Sequence, residues 1–133
     1  MGRRRRIIVD PQTWLEVEVP DFATDVEALE RSRRLSRGAV QSVRMEPDYG
    51  LVLPLWPADI EATTDIERRL PDDIVRGLML WQAKFEDGYV VATAWRSDML
   101  RNEWLAQGER LFAVVHEILW SDFEVLPSFR SHR

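Results

Sequence analysis

Cysteine is absent from the chain. That excludes disulfides, thiolate-bound zinc, iron–sulfur clusters and thiol nucleophiles together, and it fits a reducing compartment. Lysine is scarce: Lys84 stands alone among 18 basic residues, an arginine bias expected of a GC-rich bacterial genome. Histidine is reduced to His116 and His132. His116-Glu117 opens like the helical motif of a zinc protease, but position 120, where the second imidazole belongs, is Trp120. A packed helix histidine is the expected role for His116, and a place in the C-terminal tail for His132. The glycines (Gly2, Gly38, Gly50, Gly77, Gly88 and Gly108) are isolated, so there is no phosphate cradle, and no serine has the flanking glycines of a nucleophile elbow. Long apolar runs are missing too. After Arg3–Arg6 comes Ile7-Ile8-Val9, which Asp10-Pro11 ends; a secretory core needs about 7–15 apolar residues and a membrane span about 20. Gly2 is not a myristoylation site, because Arg6 occupies the position that requires Ser or Thr. The expectation is a cytoplasmic protein with no membrane association.

What is present is ordinary globular material: 133 residues, 45% hydrophobic and 31% charged. That is enough for one domain that buries about two-thirds of its unfolded surface. The charge is uneven. Net charge is −5, and removing the four positive charges of Arg3, Arg4, Arg5 and Arg6 takes it to −9. Residues 46–73 hold Glu46, Asp48, Asp59, Glu61, Asp65, Glu67, Asp72 and Asp73 against Arg68 and Arg69. Arg31, Arg33, Arg34 and Arg37 crowd a short basic stretch.

The pattern predicts strands over Ile7–Val9 and Trp14–Val19, with Asp10-Pro11-Gln12-Thr13 as the turn. Leu15, Val17 and Val19 alternate with Trp14, Glu16 and Glu18. Thr24-Asp25-Val26-Glu27 matches a capping box, followed by a helix from about Asp25 to Arg37 with a thin stripe of Val26, Leu29 and Leu35. Gly38 suits its stop. A strand is expected over Ala39–Glu46, with Val43 and Met45 on one face. Tyr49–Trp56, broken by Pro54 and Pro57, reads as an edge strand or extended loop. Pro57–Pro71 reads as acidic and irregular.

Two stronger helices follow. Asp72 or Asp73 can cap the first, in which Ile74, Leu78, Trp81 and Phe85 recur at helical spacing and Met79 and Leu80 widen the apolar face. Tyr89–Trp95 fits a strand or a loop. Ser97 caps a second helix of about 23 residues, roughly 34 Å long at 1.5 Å per residue. Its stripe is Leu100, Trp104, Leu111, Val115 and Ile118. Gly108 in mid-helix costs about 1 kcal/mol against alanine, a cost explained by close approach of the Ile74–Phe85 helix. Phe123, Val125 and Phe129 dock the C-terminal segment ahead of a disordered end. The fold class is α+β: a small, mainly antiparallel sheet from residues 7–56 packed with two C-terminal helices, as one domain over 7–133 behind a flexible basic tail over 1–6.

No residue is assigned a catalytic, cofactor-binding or metal-binding role. Pro71-Asp72 followed by Gln82-Ala83-Lys84 resembles the pattern of metal-dependent nucleases, but that chemistry needs its later acid and lysine on a strand, and these residues lie on a predicted helix. Pro47-Asp48 fails likewise. A glycosidase pair needs two carboxylates at a set separation across a cleft, which sequence does not define. Surface recognition remains. Asp48, Tyr49, Trp56, Asp59, Glu61, Asp65 and Glu67 form the candidate partner site, with aromatic anchors among acids that steer a basic protein. The alternative is a nucleic-acid or ribonucleoprotein accessory role for Arg3, Arg4, Arg5 and Arg6. Four phosphate contacts lose roughly two decades of affinity between 50 and 200 mM salt, so such binding is weak. Of six tryptophans, Trp81 and Trp104 are expected in the core, and Trp14, Trp56, Trp95 and Trp120 at element edges.

Leu53-Pro54-Leu55-Trp56, Leu70-Pro71 leading into Trp81-Gln82 and Phe85, then Trp95, then Trp104 with Gly108 and Leu111, resemble a loosely defined group of small uncharacterised proteins of high-GC bacteria. The resemblance covers about residues 49–119 and carries no activity. Small acidic proteins of this look include immunity proteins, and the functional expectation is a non-enzymatic module whose acidic 46–73 surface occludes a basic toxin or other basic partner.

Overall fold

The structure is a computed structural model that describes residues 6–50, 53–90 and 94–132. It is an α+β fold. The chain forms two compact units, one up to Val40 and one from Gln41 onward.

The first unit is a β-hairpin and a helix. β1 (Arg6–Val9) pairs antiparallel with β2 (Glu16–Val19), with Ile8 opposite Val17. Pairing places Ile8, Val17 and Val19 on one face. Val17 and Val19 are buried there, while Glu16 and Glu18 are exposed. The turn is wider than expected, and β2 starts two residues later than Trp14. The Asp10 carboxylate accepts from the Gln12 amide at 2.8 Å, the Trp14 amide donates to the Asp10 carbonyl, and the Asp10 amide donates to the Leu15 carbonyl. Closing that loop puts Trp14 at φ +61°, a left-handed conformation costly for a bulky residue, and leaves the residue 79% exposed.

α1 (Asp25–Ser36) has the predicted capping box, Thr24 Oγ1 accepting from Glu27 N while Glu27 reaches back to Thr24 N. Gly38 takes φ +73° just beyond its end. The predicted stripe is corrected: Val26 and Leu35 are exposed, and the buried position is Ala28. The helix is anchored by charge as well as by apolar contact. Arg33 holds the buried Asp10 through Nε and Nη2, at 3.3 and 3.1 Å.

The second unit is built on a three-stranded sheet in the order β4-β3-β7. β3 (Gln41–Met45) pairs antiparallel with the short edge strand β4 (Leu55–Pro57). On its other side it pairs in parallel with β7 (Phe123–Leu126), Val43 against Val125. The N-terminal half thus supplies two strands of this sheet and the C-terminal end the third. A parallel pair cannot be joined by a tight turn, and here the connection contains all the α-helices described in the unit. Val43, Met45, Leu55, Phe123 and Val125 bury one face of the sheet. Residues 51 and 52, part of the expected Tyr49–Trp56 segment, lie outside the described residues.

The segment expected to be irregular is helical. Asp59 caps a single 3-10 turn over Ile60–Ala62, and α2 (Thr63–Arg69) continues from it. Two apolar residues four apart, Ile66 and Leu70, are buried. Asp65 bridges to Arg69 at 3.0 Å across one turn. An apolar stripe of two residues is too thin to register as periodicity. Pro71 separates α2 from α3 (Asp72–Gly88), which has no side-chain N-cap; Asp72 and Asp73 sit in its first turn instead, where they still favour the positive end of the dipole. Met79 and Leu80 are 42% and 63% exposed and do not widen the buried face. β5 (Tyr89–Val90) and β6 (Ala94–Trp95) form a minimal hairpin; residues 91–93 of the Tyr89–Trp95 segment lie outside the described residues.

α4 (Asp98–Leu119) is capped by Ser97, whose Oγ accepts from Leu100 N. It meets α3 through two indoles. Trp81 and Trp104 stack with centroids 4.5 Å apart and planes 5° from parallel. Each also donates its Nε1–H to the backbone carbonyl of the other, at 2.9 and 3.1 Å. Gly108 allows this approach, because a Cβ there would stand 2.8 Å from Trp81 Cζ2 and 2.9 Å from Phe129 Cε2. Phe129 lies edge-on to Trp81 at 5.3 Å. It belongs to a 3-10 helix over Ser128–His132, so helical structure reaches into the end expected to be disordered; residue 133 lies outside the described residues.

Gly108→Ala is expected to destabilise the second unit by about 1–3 kcal/mol, as for other overpacked cores, read as a lower urea midpoint. In the first unit, the Arg33 side chain and the Gln12 amide hold the Asp10 carboxyl below the usual carboxylate range. A depressed native pKa gives stability that is fully present above the unfolded value and is lost as pH falls through the native one. Asp10→Asn should therefore lower stability at neutral pH, with the deficit closing in acid. Carboxyl NMR of the wild type should place the Asp10 titration below that of an exposed aspartate.

Candidate protein-binding site

The second unit brings part of the predicted site together around Trp56. On one side of Trp56 is a cleft of about 390 Å³ lined by Arg44, Glu46, Pro47, Asp48, Tyr49, Phe85, Tyr89 and His132. Phe85, buried on α3, is its floor. Tyr49 lies 5.5 Å from Phe85, Tyr89 stacks on it at 4.8 Å, and His132 meets it edge-on at 5.1 Å.

Hydrogen bonds fix the rim of this cleft. Trp56 Nε1 donates to the Glu46 carbonyl at 2.9 Å, and the Tyr49 hydroxyl donates to the Tyr89 carbonyl at 2.6 Å. Gln82, buried on α3, clamps the loop from below: its amide nitrogen donates to the Asp48 carbonyl while its Oε1 accepts from the Asp48 amide. Glu86 Oε1 accepts from both Gln82 and the Gly50 amide, and Gly50 turns the chain at φ +82°. Glu46 faces Arg44 and His132. Its Oε2 bridges to Arg44 at 3.2 Å, and its Oε1 lies 3.5 Å from His132 Nε2.

On the other side of Trp56 is a more apolar groove of about 300 Å³, lined by Leu53, Leu55, Pro57, Ile60, Thr63, Ile66 and Glu67. Ile60 stands at its edge and is 81% exposed. Its neighbours Asp59 and Glu61 are exposed, as is Glu67. The predicted acids therefore divide by what holds them. Asp59 accepts from the Glu61 amide as a cap. Asp65 is engaged by Arg68 at 3.4 Å and Arg69 at 3.0 Å. Its charge and the Asp122 hydrogen bond keep the Arg69 guanidinium above its ordinary pKa, with the Asp122 bond the larger cause. Glu61 and Glu67 face solvent.

The other predicted groups lie elsewhere. Arg6 is part of β1 and pairs with Asp25, while Arg3, Arg4 and Arg5 lie outside the described residues. Of the edge tryptophans, Trp14 is exposed and Trp56 and Trp95 are half-buried, but Trp120 is buried at the end of α4. Gln82 and Lys84 are on α3, as the argument against a nuclease site requires, and Lys84 bonds to Gln107 at 2.9 Å. His116 stacks on Phe112 at 5.6 Å. Among the described residues, no group of three or more histidine, aspartate or glutamate side chains converges to hold a metal ion. Among them, too, no helix is long and apolar enough to cross a membrane.

Sequence reasoning missed Ile60, Gln82 and His132. A lone isoleucine among acids carries no periodic signal, and a terminal histidine reads as tail until Phe129 docks its helix. Gln82 was legible only as a position on the helix. The chain matches no family model, no curated protein and no solved structure.

Replacing Gln82 by leucine removes both hydrogen bonds to Asp48 with little change of volume. The expected cost is about 1 kcal/mol, with faster amide exchange at Asp48 and Gly50 and unchanged exchange in α4.

Proposed function

We propose that the chain is a non-enzymatic protein-binding module that covers a basic partner in the bacterial cytoplasm, in the manner of an immunity protein occluding a toxin. The observation that carries this reading is Ile60, an aliphatic side chain left 81% exposed beside an apolar groove, with Asp59, Glu61 and Glu67 around it. Specific interfaces combine a desolvated apolar centre with a polar rim. Central anchors carry most of the affinity, and rim charges set partner choice and association rate. Here the centre is Ile60 with the Trp56 wall, and the rim is acidic, so the complementary surface is basic with an apolar contact. The resemblance to small proteins of high-GC bacteria supports the same setting.

The test spares Asp59 and Asp65, which hold the local fold, and changes the side chains that face solvent. Wild type, Glu61→Lys/Glu67→Lys and Ile60→Ser are used in parallel as baits against nuclease-treated host lysate, with quantitative mass spectrometry of the eluates. Melting temperatures are expected to agree within about 3 °C, since exposed substitutions are close to neutral. A protein with a basic surface should be enriched by the wild type and lost from both variants. Equal capture by all three baits would sink the reading.

A further inference from the structure

We infer that the aromatic cleft beside Trp56 is a receptor for a single arginine side chain of the partner. The inference rests on the reading of the partner as basic, and it assigns that partner's anchor a place and a chemistry.

Three observations point to a guanidinium. The first is the wall chemistry. Phe85, Tyr49, Tyr89 and Trp56 present ring surface around one cleft, and ring faces attract cations most strongly where water is partly excluded. The second is charge. The rim carries Glu46 and Asp48 against one arginine, Arg44, and Glu46 directs the oxygen that Arg44 does not use toward His132 inside the cleft. The third is an internal template. The guanidinium of Arg44 lies 5.7 Å over the Trp56 ring while pairing with Glu46 Oε2, so these walls already hold one planar cation, and Glu46 Oε1 with the Tyr49 and Tyr89 rings is what is left to a second. Arginine suits such a place better than lysine, because its planar head stacks on rings and pairs with a carboxylate through two N–H groups at once. The walls are also fixed in advance by the bonds of Trp56, Tyr49 and Gln82, so little order has to be gained on binding. A cleft of about 390 Å³ falls within the usual range for ligand pockets of roughly 300–1,000 Å³.

The probe is N-acetyl-arginine amide, titrated into the full-length ¹⁵N-labelled protein, with the neutral isostere N-acetyl-citrulline amide as control. The readout is the Trp56 indole N–H signal, assigned by comparison with Trp56→Phe, together with the Gly50 amide. Arginine amide should give a saturable shift with a Kd on the order of millimolar, and citrulline amide none. Glu46→Gln should weaken binding about tenfold. The remaining indole signals report whether that variant stays folded, and Tyr49→Phe, which keeps the ring but loses the bond that fixes it to the Tyr89 carbonyl, gives a second, independent reduction. Absence of a shift, or equal shifts with the two amides, would overturn the proposal. Partner capture separates the two claims. If charge reversal at Glu61 and Glu67 abolishes capture while arginine amide leaves Trp56 unmoved, the acidic surface stands and the arginine receptor falls. If arginine amide binds while capture is indifferent to charge reversal, the receptor stands and the surface reading falls.

Discussion

The second unit depends on the joint between Trp81 and Trp104. Two indoles stack face to face, and each gives its N–H to the main chain of the opposite helix. A buried indole without an acceptor carries a desolvation penalty, so the reciprocal arrangement fixes distance, rotation and register of α3 against α4 together. Leucines at the same two positions would give comparable burial without selecting one register. Gly108 is the counterpart of this joint, since its missing side chain is the space that Trp81 and Phe129 enter. From there order passes outward. Phe129 seats the last 3-10 helix, Trp95 donates to the carbonyl of His132 at 2.7 Å, and His132 becomes a wall of the cleft with Glu46 and Phe85.

Much of this could be read from the sequence, and the boundary of what could be read has a physical cause. Local chemistry was legible: the capping box at Thr24, the Ser97 cap, the stop at Gly38 and the burial of Val43 and Met45 all depend on residues a few positions apart. The close approach at Gly108 was legible too, because a mid-helix glycine has a known cost that something must offset. Which surface approaches it was only half legible. The partner helix could be named, but Phe129 arrives from the far end of the chain. The stripe of α1 was misjudged because Arg33, a charged residue, is what ties that helix to the hairpin through Asp10. Ion pairs of this kind are invisible to hydrophobic periodicity. α2 was missed for the opposite reason, since seven residues holding one buried side chain, with a second at the cap, are too few to show a period.

The site divides in the same way. The acids and aromatics of residues 46–67 were visible as composition, whereas their sorting was not. Asp65 and Asp59 serve the fold, through Arg69 and the cap of the 3-10 turn, while Glu61 and Glu67 are left to the solvent. A count of acids in sequence weighs all four equally. Likewise Gln82 has one main-chain donor and one acceptor as partners 34 residues away, and only the folded chain brings them within reach. The 47–50 loop is tied to α3 by that amide and by the bond from Gly50 N to Glu86. Surface loops are ordinarily the mobile parts of a domain, so a loop held by a buried side chain is a rim whose shape is settled before anything docks.

The parallel pairing of β3 with β7 has a further consequence for how the molecule comes together. Val43 finds Val125 only after the chain has run through both long helices, so the sheet closes a large loop instead of growing by local zippering. Contacts of such high sequence separation slow the folding search, because chain entropy is lost before the contacts return anything. The two helices, with their many short-range contacts, are suited to form first around the paired indoles, and β7 then locks onto an existing edge. In a unit organised in this way, β3 and β7 complete the sheet only when both ends of the unit are present. A nick anywhere between the two strands would break the covalent link between β3 and β7, so their pairing would then rest on packing alone.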